Sequence, residues 1–359
     1  MTVKNLIICF TLTLSYLFIN AQPIDKNVTK ETLETYQLLA NISGKNVLYG
    51  QQEATMRRYG YKKRYGCDVK DVCGSYPAIY GWDLGWMHEH GNYLAKHITK
   101  AYNRGGISTA SFHMDNLLTG KGCQDTTQIV NKLIPGGSLN ENYKQVLDNV
   151  ANFCFSLKGK NGELIPLIFR PFHEHTGKWF WWGQTHCTKQ EFIDLWQYTV
   201  TYLRDEKGVH NLLYAYSPDT IANEEQYMER YPGDDYVDVM GIDIYRDVEA
   251  NNSSKFVNRI KIVTSLAEKH KKISALTETG YSKHDEKDWW TKFLLHPIKS
   301  DPQASKISYL LIWANYHEDA FFSIFKGHFN EADFVKMRKD GFLLFEEDLE
   351  KVRKDILKD

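Results

Sequence analysis

The chain has 359 residues, of which 42% are hydrophobic and 25% are charged, and this composition excludes a disordered protein. Its 44 basic and 45 acidic side chains give a formal net charge of -1. Because there is no basic excess to neutralise phosphates or anionic lipids, the charge argues against nucleic acid and a membrane surface as partners.

The first predicted element is an apolar run over residues 6–19, which is followed by Ala21 and then by polar sequence. The run is too short to span a bilayer comfortably, and its position is typical of a signal peptide that is cleaved after Ala21. We therefore predict a signal peptide over residues 1–21, a single domain over residues 22–359, and export to the periplasm or the medium. A retained membrane anchor is the alternative.

After the signal, short apolar runs alternate with longer amphipathic stretches, such as residues 189–204 and 253–270. This alternation predicts parallel strands connected by helices. Eight runs can be counted, the number that a closed (β/α)8 TIM barrel needs. A doubly wound open sheet is the alternative, but GQQEAT after the first run is not the glycine-rich phosphate turn of such a sheet. The eight runs begin at residues 46, 76, 107, 164, 211, 237, 273 and 307.

Five cysteines follow the predicted signal, an odd number in a compartment where disulfides persist. We expect Cys67 to pair with Cys73 on a predicted loop, and Cys123 to pair with Cys187 on loops that the barrel brings together. Cys154 lies in an apolar helical pattern and is expected to remain a buried thiol. No cysteine or histidine spacing matches a zinc motif, so we expect neither a metal nor another cofactor.

Polar and aromatic residues stand at the end of each predicted strand. In a parallel barrel the C-terminal strand ends form the binding face, so these residues are the candidates for a functional site. An inert barrel would more often end its strands in small or turn-forming residues. The strand-end residues are Gln51, Glu53, Trp82, Asp83, His113, Asp115, Arg170, His173, Glu174, Ser217, Asp243, Tyr245, Glu278, Trp313 and Asn315.

Two of these residues, Glu174 and Glu278, end the fourth and seventh strands, on opposite sides of a small barrel. Glycosidic bond cleavage with retention needs a carboxylic acid and a carboxylate about 5 to 5.5 Å apart. The aromatic run KWFWWG after Glu174 would desolvate this side chain and keep it protonated. We therefore predict Glu174 as the acid/base and Glu278 as the nucleophile. Pairing of Glu174 with Arg170, with Glu278 as a helix cap, is the alternative.

The sequence around these two glutamates resembles a known family. RPFHEHTGKWFWWG around Glu174 and ALTETGY around Glu278 are similar to two signature segments of glycoside hydrolase family 26, the mannan-degrading β-mannanases. The resemblance runs over nearly all of the chain after the signal. It implies a (β/α)8 barrel, retention of configuration, and these two glutamates in the roles given above.

The resemblance also implies roles for three polar residues. His173 matches the histidine that precedes the acid/base and orients the carboxylates and the sugar. Tyr245 matches the tyrosine that hydrogen-bonds the nucleophile, a contact that would keep Glu278 ionised. His113 matches a strand-three histidine near the cleavage site.

Three tryptophans and one aspartate complete the predicted substrate-binding residues. Trp82 and Trp179 resemble aromatic platforms that flank the cleavage site, and Trp313 would form the floor of the sugar pocket. Asp115 is a further candidate sugar contact. For each indole the alternative is burial in the core, which is the commoner fate of tryptophan.

One departure from the family pattern concerns the eighth strand. Many members follow the strand-eight tryptophan with an arginine that grips the sugar two units toward the non-reducing end, whereas this chain has Ala314. Asn315, His317 or a lengthened loop would then replace that contact. Loops over residues 57–74 and 119–128 could wall off one end of the cleft, which predicts exo action.

The predicted activity is hydrolysis of β-1,4-mannan, galactomannan or manno-oligosaccharides by a monomer. One alternative is a related barrel enzyme acting on β-glucan or β-1,3-xylan, because the same carboxyl pair serves any β-linked sugar. Another is a non-catalytic glycan-binding barrel, against which the presence of both glutamates argues.

Overall fold

A computed structural model describes residues 22–61, 66–282 and 285–356, so the predicted signal peptide lies outside the described residues. Eight strands form at the eight runs identified in the sequence, and a ninth, shorter strand follows near the C-terminus. The strands are β1 Val47–Gln52, β2 Ile79–Asp83, β3 Ile107–Ser111, β4 Leu167–Arg170, β5 Leu212–Tyr216, β6 Val239–Ile244, β7 Ile273–Thr279, β8 Tyr309–Ile312 and β9 Leu343–Leu344.

The sheet closes on itself. Every strand from β1 to β8 pairs in parallel with its neighbour in sequence, and β8 pairs in parallel with β1. This arrangement confirms the predicted (β/α)8 barrel. The ninth strand, β9, was not predicted; it adds to the start of β1, where Leu343 lies opposite Val47.

Helices separate most of the strands. The predicted helix over residues 189–204 is confirmed as α6 and a π-helical continuation, and the one over residues 253–270 is confirmed as α9. The α-helices are α1 Lys30–Ile42, α2 Asp68–Cys73, α3 Met87–Arg104, α4 Val130–Leu133, α5 Asn140–Ser156, α6 Lys189–Thr201, α7 Glu224–Met228, α8 Arg246–Glu249, α9 Ser253–His270, α10 His296–Ser300, α11 Glu331–Asp340 and α12 Glu346–Ile356. Two π-helical segments span Tyr202–Glu206 and Trp289–Leu295, and 3-10 turns span Tyr59–Tyr61, Leu84–Trp86, Asp234–Tyr236 and Ala304–Lys306.

The start of α6 shows how local sequence sets a helix boundary. The Thr188 hydroxyl accepts a hydrogen bond from the Glu191 backbone N–H, and the Glu191 carboxylate accepts one from the Thr188 backbone N–H. This capping box satisfies donors that the first helical turn leaves free. The helix therefore begins directly after the loop that carries Trp179.

The core divides along the two faces of the strands. One apolar cluster takes residues from all eight barrel strands, Leu48 and Ile168 among them, and combines them with α1 residues that cover the barrel at its N-terminal end. A second cluster takes the alternate strand residues, such as Tyr80 and Phe169, and packs them against the helices. Because side chains alternate along a strand, the parity of each position decides which cluster it joins.

Within the described residues, no helix is long and apolar enough to cross a membrane.

The five cysteines after the predicted signal are all free thiols, so the two predicted disulfides are wrong in this structure. Cys67 and Cys73 lie at the two ends of α2, a helix where a loop was predicted. The Cys187 thiol lies 3.3 Å from an Arg230 guanidinium nitrogen. Cys154 is a buried thiol as predicted, and burial raises its pKa to about 12.

Candidate active site

A buried arginine organises the C-terminal end of the barrel. Arg170, the last residue of β4, is 1% exposed and donates hydrogen bonds to Glu278 and, at 2.8 Å, to Asp243. It also donates to the Ser217 hydroxyl at 3.1 Å. The alternative in which Arg170 pairs with Glu174 is therefore wrong, because its guanidinium instead compensates two other buried carboxylates.

Glu278 is aimed by an irregularity in β7. The pairing register shifts between Ile242 and Asp243 and again between Leu276 and Thr279, so Asp243 lies opposite Glu278. A β-bulge re-aims side chains in this way and is common beside active sites. The expected hydrogen bond from Tyr245 is present, with the hydroxyl donating to Glu278 Oε2 at 3.0 Å.

Glu174 sits in a strained turn just after β4. Its φ of 53° lies in the left-handed region, which non-glycine residues seldom adopt and which clusters at functional sites. The Glu174 backbone N–H donates to the Ser217 carbonyl at 2.8 Å, which ties this turn to the end of β5. The backbone thus holds the side chain in one direction at the mouth of the barrel.

The surroundings of Glu174 favour its protonated form. Burial raises its pKa well above the usual range, and the nearby carboxylates of Glu278 and Asp243 raise it further. The Trp179 indole N–H donates to Glu174 Oε2 at 2.7 Å, which opposes the rise only in part. A carboxyl group in this setting is suited to donating a proton.

Glu174 and Glu278 are close together. One carboxylate oxygen from each of Glu174, Asp243 and Glu278 lies within 4.8 Å of the others. An inverting glycosidase needs carboxyl groups about 6.5 to 9.5 Å apart to admit a water molecule, whereas a retaining one needs about 5 to 5.5 Å. The spacing in this chain matches the retaining arrangement.

Among the described residues, these three carboxylates also have a spacing at which they could bind a metal ion. Two of them, Asp243 and Glu278, already accept hydrogen bonds from the Arg170 guanidinium. Arg170 therefore supplies positive charge beside two of the three carboxylates.

Two histidines each lie beside a carboxylate of the site. His113 Nδ1 lies 3.0 Å from Asp83 Oδ2, and although burial lowers its pKa, the Asp83 carboxylate more than offsets this and raises it. His173 packs edge-on against the His113 ring, 4.6 Å between centroids, and burial holds its pKa well below the usual range. His173 Nε2 lies 4.0 Å from Glu278 Oε1, so a neutral ring lies beside the carboxylate.

Two half-buried tryptophans lie beside residues of the site. The Trp313 ring is half-buried and lies 6.2 Å from the His113 ring. Trp179, also half-buried, lies beside Glu174. Asp115 is exposed on the loop after β3. The structure thus brings all the predicted site residues except Trp82 to the barrel mouth or its rim.

Trp82 does not lie in the site where the sequence analysis placed it. It is fully buried, stacks on Tyr80 with ring centroids 5.8 Å apart, and donates to the Ser108 hydroxyl at 3.0 Å. Its strand position points away from the barrel interior and into the helix layer, whereas the next residue, Asp83, points into the mouth. The prediction that Trp82 is a sugar platform is wrong, because strand parity places this side chain in the core.

Asn315 cannot replace the missing arginine contact at position 314. Its side chain is fully buried and donates to Asp68 Oδ2 at 2.9 Å. It also accepts hydrogen bonds from the backbone N–H groups of Phe322 and Ser323. These contacts tie the loop after β8 to α2, so Asn315 is a structural residue.

Comparison with known proteins agrees with this geometry. The profile of Glycosyl hydrolase family 26 matches residues 24–339. A mannan endo-1,4-beta-mannosidase from Bifidobacterium adolescentis is 38% identical over 341 residues, covering 86% of this chain and 34% of the relative. One from Bacillus subtilis is 31% identical over 195 residues, covering 49% of this chain and 53% of the relative. The chain thus spans about a third to a half of the length of these relatives.

Solved structures give a similar result over most of each chain. A GH26 beta-mannanase from Bacteroides ovatus superposes with a TM-score of 0.84 at 37% identity, covering 89% of this chain and 96% of that one. A GH26C structure from a Muricauda species has a TM-score of 0.86 at 32% identity, covering 92% and 95%.

Proposed function

Because this chain belongs to glycosyl hydrolase family 26, we propose that it hydrolyses β-1,4-linked mannan with retention of configuration. The observation that carries the proposal is the close placement of Glu174 and Glu278, of which one carboxylate oxygen each lies within 4.8 Å of the other. The names of the curated relatives above, all mannan endo-1,4-beta-mannosidases, support mannan as the substrate.

In the proposed reaction, Glu278 attacks the anomeric carbon while Glu174 protonates the departing oxygen. A covalent mannosyl-enzyme forms, and the deprotonated Glu174 then removes a proton from water, which attacks the same carbon. The two inversions together retain the configuration. The contacts fit these roles, since Arg170 and Tyr245 both donate hydrogen bonds to the Glu278 carboxylate and burial raises the pKa of Glu174.

Substrate choice is tested with the purified chain on three polymers. We expect reducing ends to be released from mannan at a rate at least ten times that on lichenan or β-1,3-xylan, because the pocket contacts, not the carboxyl pair, select the sugar. Proton NMR of the first product should show the β-anomer. Faster hydrolysis of lichenan or β-1,3-xylan would show that mannan is not the preferred substrate. An initial α-anomer would overturn retention of configuration. Binding to mannan without release of reducing ends would show a non-catalytic barrel.

We also propose that the enzyme is exo-acting, because the described part of the loop over residues 57–74 closes against the loop after β8. Tyr59 stacks on Phe325 with ring centroids 3.5 Å apart. The Asp68 carboxylate accepts hydrogen bonds from the Tyr59 backbone N–H at 2.8 Å and from the Asn315 side chain. These contacts support a fixed wall across the strand-one and strand-eight side of the cleft.

The loop over residues 119–128 is held in place at another side of the mouth. The Asn116 side chain donates to the carbonyls of Asp125 and Thr127, and the Trp181 backbone N–H donates to the Cys123 carbonyl. Hydrogen bonds therefore hold the loop in place both to the segment just before it and to the aromatic run after Glu174. It supports a cleft that is bordered on more than one side.

The product time course tests exo action. If the wall blocks one end of the cleft, linear mannan should yield one short oligosaccharide as the main product from the first minutes, while the viscosity of the polymer falls slowly. Chromatography of early samples gives the product sizes. Mixed oligosaccharides from the start, with a rapid fall in viscosity, would show an open endo-acting groove.

A further inference from the structure

Arg57, at the start of the loop after β1, has an unusual setting. Its guanidinium carbon lies 5.2 Å from the centroid of the Trp86 ring and 4.7 Å from that of the Tyr316 ring. These two aromatic residues come from the segments that follow β2 and β8. Arginine stacks on aromatic faces in this way because the planar cation is attracted to the π-system.

A buried carboxylate fixes the direction of this side chain. Arg57 Nε donates to Glu53 Oε2, and the Glu53 side chain is 4% exposed against 24% for that of Arg57. Glu53 itself has a φ of 50°, and its backbone N–H donates to the Gly81 carbonyl at 2.8 Å. The pair is therefore anchored to the ends of β1 and β2, with only the arginine reaching solvent.

The pair lies next to the candidate active site. The Glu53 backbone N–H donates to Gly81, two residues before Asp83, and the Asp83 carboxylate lies 3.0 Å from His113 Nδ1 in the candidate active site. Burial raises the pKa of Tyr316, and the carboxylates of Glu53 and Glu278 raise it further. Tyr316 follows Trp313 by three residues on the loop after β8, so the contact of Arg57 with the Tyr316 ring brings Arg57 to the strand end that carries Trp313.

The outer nitrogens of Arg57 are available for a ligand. In the part of the chain that the structure describes, the hydrogen bond to Glu53 uses Nε, and neither terminal nitrogen has a hydrogen-bond partner. A guanidinium presents its donors as a rigid planar fork, which can pair with two neighbouring hydroxyl groups at once. The flanking Trp86 and Tyr316 rings offer apolar surface to the C–H groups of the same sugar.

We propose that Arg57, held by Glu53 between Trp86 and Tyr316, binds the vicinal hydroxyls of the sugar next to the one at Trp313. This inference rests on the proposed function and assigns Arg57 as a specificity-determining residue. A purely structural arginine would cross-link the loops equally well for every substrate. A sugar-binding arginine matters only for substrates that carry the second sugar.

The test compares an activated aryl β-mannoside with the corresponding aryl β-mannobioside. In Arg57→Met, the ratio of kcat/KM for the mannobioside to that for the mannoside should fall about 10- to 100-fold, as expected for lost charge-assisted hydrogen bonds. Arg57→Lys keeps the charge beside Glu53 but loses the fork, so the ratio should fall by a smaller factor. Arg204→Met is the matched control, since Arg204 pairs with Asp205 and faces the Tyr236 ring elsewhere.

The outcomes separate this inference from the proposed function. Wild-type protein that cleaves neither aryl mannoside overturns the proposed function and the inference with it. A wild-type protein that cleaves both, with the same ratio in Arg57→Met or Arg57→Lys, overturns the inference alone. If loss of the partner of buried Glu53 prevents Arg57→Met from folding, Arg57→Lys carries the comparison. The Arg204→Met ratio should equal that of the wild type.

Discussion

Glu278→Ala is expected to abolish turnover on mannan and on activated aryl β-mannosides alike, with kcat/KM lower by on the order of 10⁴-fold or more. The variant has no carboxylate that can attack the anomeric carbon, and an easier leaving group does not replace a missing nucleophile. Steady-state rates on both substrates measure the effect. Added azide should restore turnover of the aryl substrate and yield the α-mannosyl azide, since a single displacement inverts the configuration.

The Glu278→Ala variant should still fold. Removing Glu278 takes away one of two carboxylates on Arg170, but Asp243 still pairs with the guanidinium at 2.8 Å. The buried positive charge therefore keeps a partner, which avoids the large penalty of an isolated buried ion. Thermal unfolding checks this point, and Glu268→Gln, at an exposed partner of Lys306, serves as a matched control. Activity within tenfold of the wild type would remove Glu278 from the mechanism.

Glu174→Ala is expected to affect the two steps unequally. On mannan, kcat/KM should fall by on the order of 10³-fold, the range of general acid catalysis, because the leaving sugar needs a proton. On an activated aryl β-mannoside the first step needs no proton and should be spared. Slow release of the mannosyl-enzyme should then produce a burst of the aryl leaving group, and added azide should give the β-mannosyl azide.

The pH dependence follows from the raised pKa of Glu174. The protonated form is required for the first step on mannan, so kcat/KM should decline as the pH rises through this pKa. Burial and the carboxylates of Glu278 and Asp243 place that decline above the ordinary range of glutamate. With the activated substrate, whose first step needs no proton, kcat/KM of the wild type should lack this alkaline limb. Equal losses in the Glu174 and Glu278 variants on the aryl substrate would contradict the assigned roles.

The local features of the barrel could be read from the sequence. Alternating apolar runs predicted all eight barrel strands, and amphipathic stretches predicted helices such as α6 and α9. Polar residues at strand ends predicted the site, because parallel strands carry their C-terminal ends to one face. The pair of Glu174 and Glu278 followed from that rule together with the chemistry of glycosidic bonds.

Several features escaped prediction because they depend on contacts between distant segments. The short strand β9 needs β1 as a partner before its two residues can be recognised. The helix α2 between Cys67 and Cys73 lies in a segment that was interpreted as a loop. Arg57 shows no local signal either, since Trp86 and Tyr316 meet it only after the barrel closes.

The barrel and the carboxyl groups at its mouth could be inferred from the order of the residues alone, because side-chain periodicity and strand ends are local properties. The partners of those carboxyl groups, in contrast, depend on how distant segments of the chain pack together. Arg170 lies 73 residues from Asp243 and 108 from Glu278, and closure of the barrel sets these contacts. Closure of the barrel also buries Trp82 in the core, where burial of an indole is favourable. It brings Glu174 close to Glu278, and the separation of these two carboxyl groups determines whether configuration is retained or inverted.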